Sequence, residues 1–229
     1  MDIFRDEFRS FPRDVRPELA ALKDAGFSVD VTSDNEWTVE AILRQYGEET
    51  RIQWMWDPET CKRFFPAQDD EDLGYRLHQA DAAVNKVLCA SRRQKAARDA
   101  VDLINIVNRY CPLGPLVWAV VGKDPNQTPP AIIKSLRSNA FGYSDDEIRT
   151  VRMEHEAAIG RDELRKILTP AFDAASRYCD EVAPNDYLGH LFIDQNEVPM
   201  EADADYIKNG RVRTLPVQDF SVLPSIPEK

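Results

Sequence analysis

Strand-like and helix-like periodicity occupy different parts of this chain, and that segregation limits its architecture more than any other feature. Phe27 to Thr32 alternates and is rich in strand-forming residues. Trp37 to Gln45 and Thr50 to Trp56 read as a strand pair around the turn Tyr46-Gly47-Glu48-Glu49. In the last of these, Ile52, Trp54 and Trp56 share one face and Arg51, Gln53 and Met55 the other, because strand side chains alternate. One face is then core, and the other is free to line a site. Ahead of the strands, Val15, Leu19 and Leu22 predict an amphipathic helix from Pro12 to Ala25, closed by Gly26, with Pro17 admissible only in a first turn. After Asp57-Pro58 an acidic loop around Gln68-Asp69-Asp70-Glu71-Asp72 is expected to run to Gly74.

From Gln79 the period becomes helical. Ala80, Val84, Val87 and Leu88 form one apolar stripe; Ala100, Val101, Leu103, Ile104 and Val107 form a second. Pro112 and Gly114 punctuate that second helix, and further helices are expected over 115–121, 129–139, 144–153 and 161–182. Beyond Pro184 the composition turns to Pro, Asp and Glu, with an apolar fragment at Leu188 to Ile193, and reads as an irregular tail. Strands first and helices later favour α+β over a doubly wound sheet. The expected division is an α/β domain over 1–74, a helical domain over 75–183 and an acidic tail over 184–229.

Against a formal net charge of -11 and a pI near 4.8, the run from Lys86 to Arg98 stands out: Lys86, Arg92, Arg93, Lys95 and Arg98 with no acid among them. Basic residues near a helix C-terminus complement the helix dipole, which is the ordinary structural account. The functional one is a site for phosphate, to which Lys and Arg are the best-suited side chains. The acidic balance argues against coating duplex DNA, where many phosphates must be neutralised at once. No apolar run reaches membrane-spanning length and the start is charged, so a soluble cytoplasmic protein is expected.

Several familiar chemistries are excluded. Gly122-Lys123 is no phosphate loop, since Val117 stands where a glycine is needed and Asp124 where Ser or Thr should be. His78, His155 and His190 lack zinc-hydrolase spacing, and His78 beside Asp81 reads as a helix-start residue. The four cysteines, Cys61, Cys89, Cys111 and Cys179, form no C-x-x-C pair and read as reduced thiols. Asp81 in a first turn is favoured by the dipole alone, and Arg98 with Asp102 has the spacing of a surface ion pair. Together, a Lys on one helix and an Arg-Asp-x-x-Asp on the next, joined by a basic turn, are more specific than any one member.

The run His78-Gln79-Ala80-Asp81-Ala82-Ala83-Val84-Asn85-Lys86-Val87-Leu88, followed by Arg92-Arg93 and Arg98-Asp99-Ala100-Val101-Asp102-Leu103, resembles the nucleotidyltransferases of the abortive-infection toxin type (AbiEii/AbiGii), which share the DNA polymerase beta nucleotidyltransferase fold. The resemblance extends through Arg51-Ile52-Gln53-Trp54, Arg63-Phe64-Phe65-Pro66, Pro112-Leu113-Gly114-Pro115 and Gly122-Lys123-Asp124-Pro125, covering roughly residues 1–150. It implies a mixed sheet with a flanking helix and a C-terminal helical bundle. It also implies a nucleoside triphosphate with Mg2+, nucleotidyl transfer to an acceptor such as tRNA or a protein, and a cognate antitoxin.

By that analogy Asp2, Lys86, Asp99 and Asp102 take catalytic roles, with Asp2 also a metal ligand. Asp81, Arg93, Arg98 and Gln53 would contact substrate. The sequence departs from the family pattern: Asp2-Ile3-Phe4 matches only the second Asp of the metal-binding pair, the Gly-Ser motif and first Asp would precede Met1, and Gln53 stands where a third carboxylate is expected. Either the start is truncated or the protein is a degenerate relative, a non-catalytic module contacting a protein or an RNA end. A sheet shortened in this way is expected to self-associate through an exposed edge near Asp2 to Phe8.

Overall fold

A computed structural model describes residues 2–5, 11–56, 62–71, 74–92, 97–151 and 159–220. The architecture is α+β, in two compact units, one running to Arg63 and taking in the chain from Asp219, the other from Phe64 to Gln218. The division therefore falls before the expected boundary near Gly74, and most of the expected tail belongs to the second unit.

The first unit is a four-stranded mixed sheet of order β1-β4-β3-β2, formed by β1 (Asp2–Arg5), β2 (Ser28–Asp34), β3 (Thr38–Gln45) and β4 (Glu48–Trp56). β2, β3 and β4 are antiparallel neighbours, whereas β1 runs parallel to β4. The β3–β4 turn is tighter than the sequence suggested. Tyr46 and Gly47 both take positive φ (53° and 84°), so Gln45 already pairs with Glu48. That two-residue geometry matches the twist of the strands it joins.

Helix α1 (Phe11–Asp24) covers one sheet face, where Val15 meets Val39, Ala41, Leu43, Ile52 and Trp54. Trp54 is fully buried, and its indole N–H donates to Glu18 Oε2 at 2.7 Å. Gly26 (φ 90°) ends α1; its N–H bonds Lys23 O and that of Phe27 bonds Leu22 O, satisfying carbonyls of the last turn. Pro17 lies in the helix interior and not in a first turn, forgoing the backbone N–H bond there. The short strand β5 (Lys62–Arg63) closes the unit's first segment.

The second unit is built from α2 (Gln79–Arg92), α3 (Ala97–Arg109), α4 (Leu113–Lys123), α5 (Pro129–Ala140), α6 (Asp145–Arg149) and α7 (Arg161–Arg177), the last continuing as a π-helical turn over Tyr178–Val182. α4 is apolar nearly all round, as a helix buried on every side must be. Leu116, Val117 and Val120 pack with Val84, Leu88, Leu103, Ile132, Leu136, Leu164 and Phe172 in one core.

Two segments read from sequence as loop or tail are ordered. The acidic stretch forms a hairpin of β6 (Gln68–Asp70) and β7 (Gly74–Arg76), strands too short to produce a visible alternation. After Pro184, β8 (Leu191–Ile193) pairs with β9 (Arg213–Leu215), with α8 (Ala204–Lys208) between them. Leu191, Phe192 and Ile193 are all fully buried. A three-residue apolar strand among acids is anchored by tertiary contacts: Trp118 Nε1 donates to Tyr187 O at 2.8 Å, and the Tyr178 hydroxyl exchanges hydrogen bonds with the Ala202 backbone.

Candidate phosphate-facing site

α2 is preceded by His78, whose Nδ1 accepts the Ala80 N–H at 3.2 Å in the role Ser or Asp fills at most helix starts. The ring stacks on Phe65 with centroids 3.7 Å apart, and its Nε2 lies 3.3 Å from Glu197 Oε2. With both nitrogens engaged, His78 is a structural cap and not a ligand.

The α2 positions that resemble the family motif part company in space. Asp81 is fully buried. Lys123 Nζ donates to its Oδ1 at 2.9 Å, and the backbone N–H groups of Phe64 and Phe65 donate to its carboxylate at 3.0 Å each. Lys123, itself buried, also donates to Asn85 Oδ1 at 2.8 Å. The expectation that Asp81 contacts substrate is thereby corrected. Its oxygens are occupied and inaccessible, and its role is to hold the α2 start, the 64–65 turn and the end of α4 together.

Lys86, the residue after Asn85, lies on the outer face of α2, exposed, with Nζ 2.7 Å from Asp102 Oδ2 on α3. The pair is half open to solvent, at 47% and 34% side-chain exposure. Arg98, one turn before Asp102 on α3, is exposed, so Lys86, Arg98 and Asp102 share an open face of the helical unit. Asp99 does not share it: it is 4% exposed, on the buried side of α3 with Ala100 and Leu103, where a reacting phosphate has no access. That placement does not fit the catalytic role the resemblance implied for Asp99. Arg93 lies outside the described residues.

At the end of α2, Arg92 reaches Asp124 at 2.6 Å. Burial alone would raise Asp124, but the hydrogen bonds from Arg92 and the Asn126 backbone outweigh it and hold the carboxyl below its usual range.

In the sheet unit, the register sets Asp2 opposite Gln53 on adjacent strands; the Asp2 side chain is not among the described ones. Gln53 Nε2 donates to Glu40 Oε1 at 3.0 Å, and Arg51 Nη2 stands 2.7 Å from the same oxygen. Glu40 therefore supplies a carboxylate beside position 53, from β3. Sequence reasoning passed over it, although the hairpin register pairs Glu40 with Gln53 and alternation puts both on the face away from α1. Lys123 was also missed as a structural partner; its signal was a single cation ending an otherwise apolar helix, which has to be paired to be buried.

Among the described residues no three His, Cys, Asp or Glu side chains gather as a metal site, and no helix is long and apolar enough to cross a membrane. The fold and site define an α+β protein of two units whose helical unit presents an exposed cation–carboxylate pair. No family model, curated protein or solved structure matches the chain.

Proposed function

We propose that this chain is a nucleotidyltransferase-like protein that takes a nucleoside triphosphate with Mg2+ and transfers its nucleotidyl group to an acceptor, an RNA end such as that of tRNA or a protein side chain. The observation that carries the reading is the Lys86–Asp102 pair, 2.7 Å long and open to solvent, with Arg98 exposed on the same helix. Asp102 keeps the Lys86 ammonium oriented, and an arriving phosphate can draw on that ammonium and the Arg98 guanidinium without extracting either from the core. Phosphoryl chemistry rests mostly on positioning and on cancelling charge, which is what such side chains contribute. The family resemblance assigns Mg2+ to Asp2 of the sheet unit, an ion commonly bound through one or two carboxylates plus phosphate oxygens.

Titration calorimetry with Mg-ATP, Mg-CTP, Mg-GTP and Mg-UTP tests the reading. One of the four is expected to bind, and Lys86→Ala to weaken it by about tenfold or more, the scale of one lost charge-assisted contact. If none of the four binds, the proposal fails.

A second reading, a non-catalytic binding module contacting a protein partner or RNA end, is favoured by one observation. Position 53 offers an amide, which it spends on Glu40, where two-metal chemistry calls for a carboxylate. Mg2+-dependent incorporation of labelled nucleotide into cellular RNA by the purified chain would exclude this alternative.

A further inference from the structure

A polar cavity of about 430 Å3 opens in the helical unit where β6, β7, the start of α2, the end of α3 and the turn 194–198 meet. Gln68, Arg76, Gln79, Tyr110, Asn196 and Glu197 contribute to its wall. Among the described residues, the side chains of Gln68, Gln79 and Tyr110 make no hydrogen bond, and Arg76 has only Asp70 near its Nε, at 3.6 Å. Polar side chains that are solvated in the free chain thus face one open, polar cavity, where a ligand could replace that water.

The opposite side of the wall is held firmly. Glu197 takes a positive φ of 63°, strained for a non-glycine residue. Asp194 Oδ1 fixes its turn by accepting the N–H groups of Asn196 and Val198 at 2.8 and 2.9 Å. His78 and Arg213 each engage one Glu197 oxygen, at 3.3 and 2.9 Å, leaving lone pairs on both oxygens for a further donor. Burial first, then neighbouring acids that include Asp194 and Glu197, push the Tyr110 phenol up, so it stays a donor in a region of negative potential. The cavity is therefore dipolar, with a guanidinium fork at Arg76 and a carboxylate at Glu197.

We propose that this cavity binds a small zwitterion of the amino-acid class, a free amino acid or a dipeptide, with its carboxylate on Arg76, its ammonium towards Glu197, and its polar body against Gln68, Gln79 and Tyr110. The volume suits a ligand of that size. The assignment does not depend on nucleotide transfer, and failure of the triphosphate titrations leaves it standing.

The test is a 1H–15N NMR titration of the full chain with each standard L-amino acid, simple dipeptides, acetate and methylammonium. At least one amino acid or dipeptide is expected to shift the side-chain amide signals of Gln68 and Gln79. Arg76→Gln and Tyr110→Phe are each expected to weaken it by about tenfold, the loss of one charge-assisted or buried hydrogen bond. Acetate and methylammonium, each matching one pole only, are expected to bind at least about tenfold more weakly. Arg76 is exposed, so its variant retains the fold, which the dispersion of the same spectra verifies. The proposal is overturned if no amino acid or dipeptide shifts these signals, if Arg76→Gln binds as the parent does, or if acetate binds as tightly as the best zwitterion.

Discussion

Replacing Asp81 by alanine should be among the most damaging single changes this protein can suffer, and the structure sets the scale. The substitution leaves the Lys123 ammonium, 0% exposed, without its counter-ion and strips two backbone N–H groups of their acceptor. Breaking a buried ion pair by removing one partner costs about 3–5 kcal/mol. Each orphaned N–H adds up to about 1–3 kcal/mol, less whatever water or a shift of the 64–65 turn recovers. A total of at least about 4 kcal/mol is then expected, a large share of the roughly 5–15 kcal/mol that holds a domain folded.

For a chain of this size each kcal/mol moves the midpoint by about 2–4 °C, so thermal melting followed by far-UV circular dichroism should fall by roughly 8–16 °C. Asp81→Leu combined with Lys123→Met removes both charges while keeping bulk, and should recover part of that loss. The two orphaned N–H groups and the Asn85 carbonyl would still be unsatisfied. Lys86→Ala supplies the contrast: its pair with Asp102 is half in solvent, and its loss should cost under about 1 kcal/mol. If Asp81→Ala melts within about 2 °C of the parent, or no lower than Lys86→Ala, the keystone account of Asp81 is wrong.

Gly122→Ala should destabilise the helical unit by about 1–3 kcal/mol or more in urea titration, because its Cβ would stand 2.3 Å from Gly189 O and Gly189 (φ 84°) has no easy way to retreat. Burial raises Cys111 and Cys179 to about 12, so both thiols should resist alkylation by iodoacetamide at neutral pH in the native chain and react after unfolding. In the unfolded chain these thiols ionise near the ordinary cysteine value of about 9, so above that pH the unfolded state binds fewer protons than the folded one. Stability should therefore decline from about pH 9 upward, and Cys111→Ala with Cys179→Ala should flatten that decline. Self-association through the β1 edge should appear as concentration-dependent mass in light scattering, and a strictly monomeric species over a wide range would count against it.

The conclusions that survived contact with the structure are those that local chemistry controls. Alternation located three strands, helical spacing located most of the helices, and the exposed and buried faces of β4 followed from period two alone. Lys86, Arg98 and Asp102 were legible as members of one polar constellation, but helical spacing paired Asp102 with Arg98, and only the packing of α2 beside α3 makes Lys86 its partner.

Sequence could not decide which charges are buried. Asp81 and Asp99 look like Asp102 in the sequence, yet the rotation of each helix against its neighbours turns the first two inward and leaves the third outside. Lys123, 42 residues from Asp81, becomes its partner only through the packing of α4 beside α2. Glu40 reaches Gln53 across a hairpin whose register the Tyr46-Gly47 turn sets. β8, embedded in an acidic stretch with too few residues to show a period, is a strand only because the core around Trp118 and Tyr178 accepts it. Composition and periodicity decide which surfaces seek burial. Which polar groups go in with them depends on long-range pairing, because a buried charge is tolerated only where a distant partner arrives to meet it.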